Sequence, residues 1–122
     1  MIGVGVDILN IERLSHLDGK LDDPFFRRSF TERERTEDPG NHSRLAFFAA
    51  RFAAKEAVFK ALGTTPGAVR LSDIEICRDA SGIPWPTLRG GAADAAAKAG
   101  ITSIHLSLSY EKDYVVAFAV AE

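Results

Sequence analysis

Five side chains in this sequence pair a useful chemistry with a suggestive position: Asp7, Glu56, Lys60, His105 and Ser107. Asp7 lies in a run where Ile2, Val4, Val6 and Ile8 alternate with Gly3, Gly5 and Asp7. A period of two predicts a strand with one apolar face and one almost bare face. Backbone or ligand can come close to a carboxylate that shares its face with two glycines. An N-cap or a structural ion pair would use Asp7 equally well, and its position alone leaves these readings open. Phe52, Glu56 and Lys60 stand at i, i+4 and i+8, on one stripe of a helix. Glu56 followed by Lys60 is the favoured orientation for a salt bridge, which by itself accounts for the pair. Their neighbours, Ala53, Ala54, Ala57, Val58, Phe59, Ala61 and Leu62, predict a largely buried helix. An acid and a base buried there are costly unless they bind something. A carboxylate in such a place suits Mg²⁺, which takes oxygen ligands, and lysine suits phosphate as a compact charge. In Ile104-His105-Leu106-Ser107-Leu108-Ser109 the polar residues share one face. That face is either plainly solvated or one on which His105 binds phosphate or moves a proton. The chain has no Walker loop, no G-x-G-x-x-G, no Cys/His metal framework and no convincing Ser-His-Asp spacing.

The elements that must position these groups follow from the same pattern. The first strand runs from Met1 to Ile8, and Asn10 can cap a short helix through about Leu17. Thr31-x-x-Glu34 has the spacing of a capping box for a second short helix. Glu37–His42, with Pro39-Gly40-Asn41, reads as a loop. Arg44–Leu62 is predicted as the long helix, with Ser43 as N-cap and Gly63 as its stop. Strands are predicted at Asp73–Arg78 and, after a turn at 79–82, around Thr87-Leu88, with Pro84 and Pro86 holding an edge. Ala92–Ala99 reads as a short helix ended by Gly100. Ser103–Ser109 and Tyr114–Val120 read as two strands about the turn 111–113. The order β-α-α-α-β-β-α-β-β implies an α+β fold with a mainly antiparallel sheet packed on the long helix.

Composition narrows the classes. The chain has 122 residues, 46% of them hydrophobic, enough for one domain with its own core. One cysteine, Cys77, allows no internal disulfide and fits a reducing compartment. No segment has the roughly 20 apolar residues of a membrane span, and the start has no basic region of a signal peptide. The expected location is the cytoplasm, with no membrane partner. A formal net charge of −2 argues against nucleic acid. Arg13, Lys20, Arg27, Arg28, Arg33, Arg35, Arg44 and Arg51 make the first half basic. These form either a solvated face or a surface for an acidic partner or polyphosphate.

In order, these segments resemble one family. Gly3-Val4-Gly5-Val6-Asp7-Ile8 with Ile11-Glu12-Arg13 looks like the first signature of the holo-acyl-carrier-protein synthases. Arg51-Phe52-Ala53-Ala54-Lys55-Glu56-Ala57 with Lys60-Ala61-Leu62-Gly63-Thr64 looks like their central one. Ile104–Ser109 with Tyr114-Val115-Val116-Ala117 looks like the last. Asp73-Ile74-Glu75-Ile76 and Gly82-Ile83-Pro84 also sit where the family has similar segments, so the likeness spans nearly the whole chain. The resemblance implies a single 4′-phosphopantetheinyl transferase domain over 1–122. It implies transfer of the phosphopantetheine arm of coenzyme A to a serine of apo acyl carrier protein, leaving adenosine 3′,5′-bisphosphate. It assigns Asp7 and Glu56 to Mg²⁺, with Mn²⁺ as the substitute, and Glu56 and Lys60 to catalysis. It places Phe52, Lys60, Gly63, His105 and Ser107 on coenzyme A, and Arg13, Arg27 and Arg28 at the docked acidic carrier protein. It further implies fatty acid biosynthesis and a homotrimer with interfacial sites. Tyr110 stands where many members have His or Asp, and Thr65 where many have glycine. The competing class is a non-catalytic carrier-protein or nucleotide-binding module on the same fold, which would have lost a metal ligand.

Overall fold

A computed structural model describes residues 2–17, 20 and 22–122. Its longest element, α3 (Arg44–Leu62), starts at Ser43, whose hydroxyl accepts from the Ala46 N–H at 3.1 Å. It stops at Gly63, which takes the left-handed conformation (φ 66°, ψ 24°) that glycine tolerates best. Two antiparallel sheets accompany it. One has the order β1-β5-β4, from β1 (Gly3–Asn10), β4 (Ile104–Glu111) and β5 (Tyr114–Ala121). The other is the hairpin of β2 (Ile74–Arg78) and β3 (Pro84–Leu88). The α+β architecture with the long helix on an antiparallel sheet is as the pattern predicts.

Small residues let α3 lie very close to the sheet. Ala53, Ala54, Ala57 and Ala61 of α3 are fully buried or nearly so, as are Ala117, Ala119 and Ala121 of β5. A Cβ on Gly5 would sit 1.8 Å from the Ala57 carbonyl oxygen, and one on Gly3 would sit 2.1 Å from that of Ala61. The close approach expected beside Asp7 is therefore made by the helix backbone. Alternation along β1 then turns the apolar set outward: Val4, Val6 and Ile8 are about half exposed or more.

Phe26 and Phe30 pack edge to face on Phe48 of α3 at 5.0 and 5.1 Å, and Phe48 packs on Phe47 of the same helix at 5.5 Å. Phe26 belongs to α1 (Pro24–Ser29), a helix missing from the predicted order. Its signal was present in Asp23-Pro24: the Asp23 carboxylate caps Phe25 N–H at 2.9 Å, and proline fits the first helical position. The capping box at Thr31 and Glu34 does form and starts α2 (Glu32–Thr36). Ile11–Leu17 is a 3-10 helix, not an α-helix. Asp73 ends a second 3-10 turn, so β2 begins one residue later than expected. β3 includes both prolines, on a hairpin edge. α4 (Gly90–Ala99) begins two residues earlier than expected and ends at Gly100. Among the described residues no helix is long and apolar enough to cross a membrane.

Candidate active site

Strand register delivers Asp7 to the helix. It pairs with Ala117 of β5 and shares the inner face of β1 with Gly3 and Gly5. There β1, the 3-10 helix, the start of α1 and the middle of α3 enclose a cleft of about 550 Å³. Asp7, Glu56, Phe52 and Arg13 line it, together with His16, Asp23 and Phe25. Phe52 is fixed by Phe25, whose ring centroid lies 5.5 Å away. Glu56 is half-buried, and its pKa is raised above the usual carboxylate value, first by burial and then by the nearby charge of Asp7. Lys60 works in the opposite direction. Two carboxylates, Asp7 and Glu56, on one cleft open to solvent suit a hard divalent cation with oxygen ligands. Among the described residues no third His, Cys, Asp or Glu completes an all-protein cage. That donor set matches Mg²⁺, which keeps waters and substrate phosphates as its other ligands.

The Glu56–Lys60 salt bridge that helix spacing allows is replaced by contacts to β1. Lys60 Nζ donates to the Val6 carbonyl at 2.8 Å and lies 3.5 Å from Asp7 Oδ1. The closely packed strand offers Lys60 two acceptors together, where Glu56 offers one group. Nor is the pair buried: the Lys60 side chain is 51% exposed. The buried cations of α3 are Lys55 and Arg51. Lys55 donates to Glu34 Oε1 at 2.7 Å and to the carbonyls of Leu71 (3.0 Å) and Ile74 (2.5 Å), so all three of its N–H groups are used. Adjacent positions on α3 thus divide the work, with Lys55 holding the core and Glu56 facing the cleft.

The remaining candidate residues are spread over the surface. Gly63 is exposed at the end of α3, beyond Lys60. Arg13 reaches the first cleft. Arg27 and Arg28 are exposed on α1, with Arg27 3.7 Å from Asp22 beside a separate shallow recess. His105 lies on the outer face of β4, 3.4 Å from Glu122 Oε2. Ser107 borders a second cleft of about 420 Å³, which shares no lining residue with the first. Sequence reasoning did not find this second cleft. It is bounded by Arg51, Arg78, Phe47, Ile83, and by His42 stacked on Tyr110 at 4.8 Å between centroids. Tyr110 thus has a defined place, and burial raises its pKa. No local spacing signals this cleft, because its walls come from five separate stretches of chain.

The fold and the first cleft define a class. The family model described as the 4′-phosphopantetheinyl transferase superfamily matches residues 3–119, and the chain belongs to that superfamily. Within it, the chain resembles the holo-[acyl-carrier-protein] synthases. That of Desulforudis audaxviator is 42% identical over 121 residues, covering 99% of this chain and 92% of the relative. The crystal structure of the Neisseria meningitidis synthase superposes with a TM-score of 0.86 at 40% identity, covering 100% and 99% of the two chains. The Bacillus anthracis synthase, solved in complex with CoA (3′,5′-ADP), gives a TM-score of 0.77 at 37% identity, covering 99% and 96%.

Proposed function

We propose that the chain, acting as one domain over its 122 residues, is a holo-[acyl-carrier-protein] synthase. It transfers the 4′-phosphopantetheine group of coenzyme A to a serine of apo acyl carrier protein. The observation that carries this reading is the placement of Asp7 and Glu56 on one cleft with Lys60 held beside Asp7. These two carboxylates would hold Mg²⁺, or Mn²⁺ in its place, and the bound ion would offset charge on the pyrophosphate. The serine oxygen attacks the β-phosphorus, a P–O bond forms, and the bond to the leaving adenosine 3′,5′-bisphosphate breaks. Phosphoryl transfer asks mainly for positioning and charge neutralisation. Lys60 adds a fixed positive charge on the phosphates, since its contact with the Val6 carbonyl orients the ammonium. Glu56, directly or through a water, is the candidate acceptor of the serine proton. Phe52 walls the cleft for the pantetheine arm, and Gly63 leaves room beyond Lys60.

The reading extends to a homotrimer. Val4, Val6, Ile8 and Phe118 form an exposed apolar face on the three-stranded sheet, and such a face marks an interaction surface. Val6 pairs with Phe118, which pairs in turn with Ser107, so this face runs into the strand carrying His105 and Ser107. A second copy on it would bring the second cleft of one subunit towards the first cleft of another. The nucleotide end of coenzyme A then occupies the second cleft, where guanidinium groups and aromatic rings suit phosphate and base. The acidic carrier protein docks at Arg13, with the exposed Arg27 and Arg28 of α1 as further contacts. The setting is fatty acid biosynthesis in the cytoplasm.

The test is intact mass spectrometry of an apo acyl carrier protein incubated with the enzyme, coenzyme A and Mg²⁺. Wild type adds the mass of the arm, and Asp7→Ala and Glu56→Ala, still folded, do not. No mass gain with wild type and several carrier proteins would favour the non-catalytic module instead.

A further inference from the structure

The second cleft holds two arginines that share one carboxylate. The guanidinium groups of Arg51 and Arg78 converge on a single carboxylate oxygen, Oε2 of Glu37. Arg78 donates from Nε to that oxygen at 3.0 Å and from Nη2 to the Asp38 carbonyl at 2.8 Å. Arg51 is buried; its Nη2 donates to Glu37 and its Nη1 to the Ile76 carbonyl at 2.9 Å. Its Nε, also buried, has no partner among the described residues. The ring of Phe47 packs against both groups, 4.1 Å from Arg51 Cζ and 5.4 Å from Arg78 Cζ. Arg51, Arg78 and Phe47 all line the cleft, and so does His42, at the far end of the loop that Glu37 opens.

This is an anion site whose anion is part of the chain. Burial disfavours the charge on Arg51; Glu37, and behind it Glu34, oppose this, and Arg78 adds to it. One carboxylate between two guanidinium groups still leaves a positive excess and an unused buried donor, which is costly. A phosphate monoester carries up to two negative charges and three acceptor oxygens, a better match for paired guanidinium groups than one carboxylate.

We propose that Glu37 sets the nucleotide affinity of this cleft by competing with a phosphate group for Arg51 and Arg78. Binding of the phosphate releases Glu37 and loosens the segment Glu37–His42. The inference rests on the reading of coenzyme A as the substrate. It assigns a specificity role to a residue in a stretch that the sequence marks only as a loop.

The test uses adenosine 3′,5′-bisphosphate, titrated calorimetrically into the intact wild-type enzyme and into Glu37→Gln. The substitution removes the competing charge and keeps the shape. It is expected to tighten binding roughly tenfold, because a charge-assisted hydrogen bond no longer has to be given up. In the transfer assay the coenzyme A KM falls while the carrier-protein KM stays. A Glu37 that merely supports the arginines predicts the opposite: weaker binding and a higher coenzyme A KM. Equal or weaker binding by a folded Glu37→Gln overturns the proposal. A second readout needs no variant. In wild type the bisphosphate should speed amide hydrogen exchange across residues 37–42, and slower exchange there overturns the proposal too. If wild type does not bind the bisphosphate at all, the nucleotide reading fails first and the inference with it.

Discussion

Gly5→Ala is the most direct test of how β1 and α3 set the site. The added Cβ would sit 1.8 Å from the Ala57 carbonyl oxygen and 2.8 Å from the Ala61 N, both helix backbone. Real Cβ contacts do not go below 3.0 Å, so strand and helix must separate by about the 1.2 Å between 1.8 and 3.0 Å. Neither atom can rotate away, as a side-chain end would. Overpacking of this kind typically costs about 1–3 kcal/mol, occasionally more. Displacing a reacting group by about 1 Å can cost about 10²-fold in rate. The displaced strand carries Asp7 two residues on, and the helix carries Glu56 and Lys60. The expected result is a loss of about 2 kcal/mol or more in urea unfolding, with activity falling by about 10²-fold even where the protein is folded. Activity should stay low at saturating coenzyme A, since the lesion misaligns the two sides of the first cleft and filling it with substrate does not realign them. Wild-type stability and activity in Gly5→Ala would refute the claim that this backbone contact sets the site.

Three further outcomes follow from the structure. Lys55→Met leaves Glu34 buried without its cation and should cost about 3–5 kcal/mol in chemical denaturation; adding Glu34→Gln should recover part of the loss. Glu56 has its pKa raised in the folded chain, so in metal-free protein its contribution to stability is present at low pH and is lost as pH rises through the raised value. Protons then compete with Mg²⁺ for the same carboxylate, so thermal stabilisation by Mg²⁺ should shrink as pH falls, and in Glu56→Gln that pH dependence should flatten. If the proposed trimer forms through the exposed apolar sheet face, Phe118→Glu puts a charge into its interface and is expected to give a monomer by light scattering, with transfer lost although Asp7 and Glu56 are untouched.

Local chemistry made much of this protein legible in its sequence. Ser43 and Gly63 bound α3 because an N-cap oxygen and a left-handed glycine act on neighbouring backbone. The glycines before Asp7 announced a close approach, and the strand period put Asp7 on the approached face. Asp23-Pro24 carried an equally local signal that the pattern reading passed over. Contacts between distant segments could not be read in the same way. Lys60 turned from its helix neighbour Glu56 to β1, 53 residues away in sequence at Asp7, because strand packing brought two acceptors within reach. Lys55, one residue before Glu56, became a buried structural cation because α2 and β2 meet on that side of the helix. Glu37 lies 14 residues from Arg51 and 41 from Arg78, and only the fold makes them one charge cluster. Caps, turns and strand alternation depend on atoms a few residues apart, so their signals survive in a linear string. Which charge meets which partner depends on how helix and sheet pack, and packing sums weak contacts from the whole chain.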